Sequence, residues 1–313
     1  MMAGSLTACS TANAADDGKL QIVTTIFPEY DWVMNVLGDK ASDAEVTMLL
    51  DSGVDLHSYQ PTANDILKIS TCDLFIYVGG ESDAWVDDAL AEAVNKDMVV
   101  INLLDVLGNS VKEEELVEGM QGEEEEEEEE CEEGPEYDEH VWLSLKNAQV
   151  LVGSIEDALE TIDPDNSEVY SANADSYISE LSSLDEEYQA AVSDAAYDTL
   201  LFGDRFPFRY LVDDYGLNYY AAFVGCSAET EASFETITFL SGKMDELGLP
   251  VIMTIEGSDK SIAETIVGNT SSKDQDILTL DSMQSVTAED VQNGTTYLSI
   301  MEDNLEVLKD ALN

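Results

Sequence analysis

The feature that most constrains this fold is a rhythm of eight short apolar runs in two groups of four, separated by stretches of helical periodicity. The first group is LQIVTTIFP (20–28), AEVTMLLD (44–51), LFIYVGG (74–80) and MVVINLLD (98–105). Helical patterns such as PTANDILKIS and DAWVDDALAEAVNK lie between these runs. Runs of this length rich in Val, Ile, Phe and Tyr read as strands, and their alternation with helices implies a mostly parallel sheet covered by helices. The second group is TLLFG (199–203), NYYAAFVG (218–225), PVIMTIEG (250–257) and DILTLDS (276–282). The expected fold class is therefore α/β, with two lobes that each hold a four-stranded, mostly parallel sheet flanked by helices.

Between the groups, Val169, Asn173, Tyr177, Leu181, Leu184, Tyr188 and Val192 recur at spacings of three or four, which is helical periodicity. Asp163 suits an N-cap and Pro164 a first helical position. About 30 helical residues at ~1.5 Å rise make a rod of roughly 45 Å, long enough to join both lobes as a stiff spine. The expected organisation is a tether over 1–19, an N-terminal lobe over 20–162, a linking helix over 163–196 and a C-terminal lobe over 197–313. Within the first lobe, 113–139 is expected to be a disordered acidic loop, because it contains eight consecutive glutamates that repel one another.

The formal net charge of -56 makes contact with nucleic acid phosphates or anionic lipid repulsive, and leaves cations and basic partners as candidates. No apolar stretch is long enough for a membrane span. Leu6-Thr7-Ala8-Cys9 resembles the lipobox of bacterial lipoproteins, with Cys9 as the lipidated residue and a shortened signal segment before it. Cys72, Cys131 and Cys226 show no CxxC spacing, and their odd number argues against a disulfide framework and against a cysteine-based zinc site. Cys72 reads as a small core residue and Cys131 as a surface cysteine.

Ligands of open parallel sheets bind at the carboxyl ends of strands. His57 falls in the loop after the second run and His140 after the fourth, and the chain has only these two histidines. The second lobe delivers Asp204 and Arg205 after its first run, Glu256 after its third and Asp281 after its fourth. Imidazole with carboxylate is a ligand set for zinc or manganese, which a cleft between lobes would supply without cysteine.

The stretch PEYDWVMNVLGDKASDAEVTMLLDSGVDLHSYQPTANDILKISTCDLFIYVGG, with its histidine loop at Leu56 to Pro61, is similar to the N-terminal lobe of the zinc and manganese solute-binding proteins of bacterial ABC transporters. DEHVWLSLKNA resembles that family's second histidine motif, in which Asp and Pro precede the His, and YGL at 215–217 and the late LDS also fit. The resemblance covers residues 20–313. It implies two lobes bridged by a rigid helix, with His57, His140 and Asp281 as three of four metal ligands in the cleft. The other family ligand falls at Arg205, whose guanidinium has no lone pair for a cation. The resemblance therefore leaves Asp204 as first substitute, with water, Glu256 or Glu231 as others, and Arg205 as a residue that pairs with one of those acids.

The expected function is an extracytoplasmic, lipid-anchored binding protein, monomeric and not an enzyme, that captures Zn2+ and delivers it to an ABC permease. Mn2+ or Fe2+ are alternative ions. A zinc-dependent hydrolase with an open coordination site is the competing class, and an acidic adhesion or calcium-buffering protein is a third. No nucleophile motif, phosphate loop or HExxH accompanies the histidines.

Overall fold

The computed structural model describes residues 18–122, 136–227 and 231–313. Strands β1 (Leu20–Thr24), β2 (Ala44–Met48), β3 (Leu74–Tyr77) and β4 (Val99–Asn102) form one parallel sheet in the order β2-β1-β3-β4. Strands β5 (Thr199–Phe206), β6 (Asn218–Val224), β7 (Val251–Ile255) and β8 (Asp276–Leu280) form a second in the order β6-β5-β7-β8, also parallel. All eight apolar runs are strands; β5 continues three residues past its run, to Phe206, and the others are trimmed where their last residues turn into loops. Ile22, Val23, Leu74, Phe75 and Ile76 are almost wholly buried, as strands covered on both faces require.

Helices α1 (Phe27–Leu37), α2 (Ala63–Thr71), α3 (Val86–Ala91), α4 (Leu103–Leu107) and α5 (Leu145–Ile162) cover the first sheet. Side-chain caps fix where several begin: Thr62 accepts from the Asp65 amide at the start of α2, and Ser144 from the Asn147 amide at the start of α5. Then follow α6 (Ser167–Ser193), α7 (Arg209–Tyr215), α8 (Phe234–Leu247), α9 (Ser261–Asn269), α10 (Ala288–Gln292) and α11 (Tyr297–Ala311).

The linking helix is α6, entered through a 3-10 turn at Pro164–Asn166. Its 27 residues span roughly 40 Å at ~1.5 Å per residue. It buries Tyr170, Ala174, Tyr177, Leu181, Leu184 and Tyr188. At the start of the helix this face is one position later than the periodicity predicts, because the Asn173 amide side chain donates to the Val36 carbonyl at 3.0 Å instead of entering the core. The Tyr177 hydroxyl reaches Asp31 at 3.2 Å and the Tyr188 hydroxyl reaches the Met301 carbonyl at 2.6 Å, so the spine bonds to helices of both halves.

A single apolar core runs through both halves, with a smaller cluster under the outer face of the second sheet. Between the halves, the Trp142 indole donates to the Ser282 carbonyl at 2.9 Å and the Tyr297 hydroxyl to the Trp142 carbonyl at 2.7 Å.

The expected disorder over 113–139 is corrected at both ends. The Glu114 amide donates to Glu136 and the Asp138 amide to Lys112, and the Gln121 amide donates to Ala222 of β6. Edge strand β6 offers free backbone groups, which this segment takes up as a bridge at Phe223. The glutamate run at 123–130, Cys131 and Cys9 lie outside the described residues.

Candidate metal centre

His57 sits in the 3-10 turn Leu56–Ser58 beyond β2. Asp55 sets this turn, accepting from the His57 amide at 3.0 Å. His140 is fully buried, immediately before the turn Val141–Leu143 that leads into α5. The Asp138 carboxylate accepts from the His140 amide at 2.9 Å and from its Nδ1 at 3.0 Å. Because a carboxylate only accepts, Nδ1 of His140 carries a hydrogen. The Tyr210 hydroxyl of α7 donates to the Asp138 carbonyl at 2.8 Å and fixes the segment against the second half.

The two rings meet through their other nitrogens, with Nε2 of His57 3.2 Å from Nε2 of His140. Two nitrogens each about 2.0–2.1 Å from a tetrahedral zinc are about 3.4 Å apart, so the rings already stand at nearly the spacing of ligands on one ion. The third member is Cys226: a nitrogen of each ring and the Cys226 sulfur all lie within 4.8 Å of one another. Cys226 follows β6, and Gly225 before it makes this approach feasible. A Cβ at Gly225 would stand 2.9 Å from His140 Cε1 and 3.0 Å from the Phe206 carbonyl oxygen, which leaves no room for a side chain.

The expectation of a cleft without cysteine is therefore corrected. Cys226 has no motif spacing to either histidine, and the glycine before it was its only local signal.

The second-lobe acids are placed elsewhere. Asp204 accepts from the amides of Arg205 at 2.9 Å and Ile255 at 3.3 Å, so its carboxylate is committed to the backbone at the β5 bulge. Glu256 accepts from the Ser282 amide and hydroxyl, both at 2.7 Å, and from the Gln284 amide at 3.1 Å. Asp204, Arg205 and Glu256 line a separate cavity of about 570 Å³. Glu231 is exposed. The Asp281 carboxylate accepts from the Met283 amide at 2.7 Å, and burial followed by the Glu256 charge raises its pKa to about 6. None of these four acids joins the cluster of His57, His140 and Cys226. Arg205 does pair with an acid, but that acid is Asp55 and none of the candidate ligands.

The cluster borders a cavity of about 580 Å³ whose walls include Glu81, Glu113, Glu114, Glu136 and Glu139. Such a mouth attracts cations and repels anions. Burial, then the neighbouring charge of His140, lowers the pKa of His57 to about 3, so its ring is neutral. Burial also opposes charge on His140, but the Asp138 carboxylate and its hydrogen bond outweigh burial and raise the pKa. The Cys226 thiol is pushed far up by burial and then by Glu114, Asp138 and Glu139. A cation entering here meets one lone pair already free on a neutral imidazole, and displaces protons from the other imidazole and the thiol.

Residues 22–311 match the family described as the periplasmic component A of the zinc-uptake complex. The sequence is 36% identical over 310 residues to the zinc-binding lipoprotein AdcA of Streptococcus pneumoniae, across 97% of this chain and 58% of that protein. It is 32% identical over 306 residues to the high-affinity zinc uptake system protein ZnuA of Bacillus subtilis, across 97% of this chain and 91% of that one. The fold matches the Zn(II)-bound ZnuA-like domain of S. pneumoniae AdcA with a TM-score of 0.72 at 31% identity, covering 94% of this chain and 99% of that domain. The chain thus spans 58% of the length of its AdcA relative.

Proposed function

We infer, since this chain belongs to the family of periplasmic zinc-uptake components, that it captures Zn2+ between its two halves and passes the ion to the permease of an ABC importer. The observation that carries this reading is the convergence of His57 Nε2, His140 Nε2 and the Cys226 sulfur. Two imidazoles and a thiolate form a set that favours zinc over manganese, because sulfur is a poor ligand for harder ions. The fourth tetrahedral position falls to water or to Asp281, whose neighbour Ser282 is bonded to Trp142, two residues beyond His140.

Zinc is the cargo in this reading, and the protein is a monomeric carrier rather than an enzyme, in keeping with a family of transport components. Cys9 holds the lipid that tethers the chain to the outer face of the membrane. Residues 20–162 and 197–313 act as two lobes and 163–196 as the spine between them.

The test is a competition titration of metal-stripped protein with Zn2+ and Mn2+, repeated for His57→Ala, His140→Ala, Cys226→Ser and Asp281→Ala. One equivalent of zinc should bind to the parent protein, and each histidine variant should lose affinity by about 100-fold or more, the loss expected when one of so few ligands is removed. Unchanged zinc affinity in both histidine variants would overturn the assignment. A loss in Asp281→Ala would identify the fourth ligand as Asp281, and no loss would leave the position to water.

A further inference from the structure

Beside Asp138, which holds His140, the next residue Glu139 faces the other histidine. It is 2% exposed and lies beside the cavity that holds His57 and Cys226. Its Oε1 accepts from the Ser82 amide at 2.9 Å, while its Oε2 is buried and has no hydrogen-bond partner among the described residues. That orphan oxygen lies 3.6 Å from Nδ1 of His57, and the same nitrogen is 2.7 Å from the Ser82 hydroxyl. The loop before Ser82 is shaped to admit this carboxylate. Gly80 has a φ of +81°, and a Cβ there would stand 2.3 Å from Glu139 Oε1.

We propose that Glu139 is a positioning residue that sets the tautomer of His57, so that consecutive acids in one segment orient both histidines. The inference rests on the reading of His57 as a zinc ligand. The hydrogen bond between His57 and Ser82 can run either way, because a hydroxyl both donates and accepts. If Ser82 donated, the ring hydrogen would sit on Nε2 and cover the lone pair that faces His140. A carboxylate 3.6 Å from Nδ1 decides the direction, because negative charge there favours N–H at that nitrogen. Nδ1–H then donates to Ser82 and Nε2 stays bare.

His140 obeys the same rule through Asp138, so each imidazole has an acid behind its Nδ1 and turns its Nε2 toward the other ring. The unpartnered oxygen also gains its counter-charge when an ion binds, since a ring ligating a cation becomes more positive at Nδ1–H. An unsatisfied buried acceptor is unfavourable until then.

The chain has only two histidines, which makes ring-nitrogen NMR of the 15N-histidine-labelled, metal-stripped full chain easy to read. The parent protein should show His57 as the Nδ1–H tautomer. Glu139→Gln places an amide NH2 toward Nδ1, so His57 should change to the Nε2–H tautomer while His140 keeps its pattern. Zinc affinity should fall by about 10–100-fold, the usual cost of losing a residue that orients a metal-binding histidine.

Ser82→Ala provides an independent arm if Glu139→Gln does not fold. It keeps the amide that holds Glu139, and the free Oε2 should then retain the Nδ1–H tautomer alone. A change to Nε2–H in Ser82→Ala would overturn the proposal. So would an unchanged tautomer and zinc affinity in folded Glu139→Gln when His57→Ala abolishes capture. If His57→Ala itself leaves capture intact, the failure lies in the ligand assignment and not in the role of Glu139.

Discussion

Arg205 of the second sheet pairs with Asp55 of the first half, and the other oxygen of that carboxylate caps the turn that carries His57. One acid thus couples the position of His57 to the opposite lobe. The Arg205 charge and hydrogen bond hold the Asp55 carboxyl below its ordinary range against the opposing effect of burial, which is the larger single influence. Arg205 sits where the family resemblance expects a metal ligand, and here the residue joins the lobes through an ion pair instead.

Removing that pair should loosen the turn. Arg205→Ala should lower unfolding free energy by about 1.5–3 kcal/mol, the range for hydrogen bonds to charged groups, and weaken zinc capture as well. Asp55→Ala removes both the pair and the cap, so its loss should exceed that of Arg205→Ala. Denaturant melts and zinc titrations of the two variants check the order. Equal effects would mean that the cap contributes nothing.

Cys226 should govern selectivity more than capture in general. Cys226→Ser should weaken zinc binding by about tenfold or more and change manganese binding little, because thiolate favours zinc and hydroxyl does not. The measurement is the ratio of zinc to manganese dissociation constants. A ratio unaltered by the substitution would remove Cys226 from the ligand set.

Capture should strengthen as pH rises. His140 and Cys226 have raised pKa values, so the ion-free protein holds protons that the ion-bound protein has lost. Binding then releases protons, and affinity must fall as pH drops. His57, lowered to about 3, adds nothing to this slope at neutral pH. Calorimetric zinc titrations in buffers of different ionisation enthalpy should show proton release. Absence of release would contradict the protonation states assigned to His140 and Cys226.

Stability has a separate pH dependence set by Glu29. It is fully buried in the first turn of α1, where its carboxyl oxygen accepts from the Thr25 amide at 2.7 Å and the Ile26 amide at 3.2 Å. Burial, then the Asp83 charge, raises its pKa from the ordinary 4.5 to about 8. The native chain therefore keeps a proton that the unfolded chain loses above 4.5. Its contribution is present in full below 4.5 and is lost as pH rises toward 8. Glu29→Gln cannot ionise, so it should flatten this decline in melting temperatures recorded from pH 6 to 9.

The glutamate run should affect rate more than affinity. Replacing residues 123–130 with Gly and Ser should leave the zinc dissociation constant unchanged and slow association at low salt, where charge acts over distances beyond ~10 Å. Stopped-flow association at two ionic strengths separates the two quantities. A large loss of affinity would make the run part of the tight site.

Much of this architecture is legible in the residues. Parallel strands under helices are rich in apolar residues, so all eight stand out as runs even where edge strands such as β2 and β8 carry exposed polar residues, and Pro164 followed by a helical stripe marks the spine. The histidines are legible too, because strand ends are where such sheets place ligands and the chain has no others. The order at the flanks of the glutamate run is not legible there, since the pairing of Gln121 with β6 depends on an edge that only the folded second sheet presents.

The sequence by itself determined two parallel sheets, the helix between them and the strand ends that carry His57 and His140, because these follow from hydrophobic period and short-range turn chemistry. Only the tertiary structure decided what stands with those histidines. It places Cys226 across the gap where Gly225 lets the backbone approach His140, commits Asp204 to backbone amides and turns Arg205 toward Asp55. The physical reason is that ligand sets depend on distances of a few ångströms between residues far apart in the chain, and no periodicity or local spacing encodes such distances.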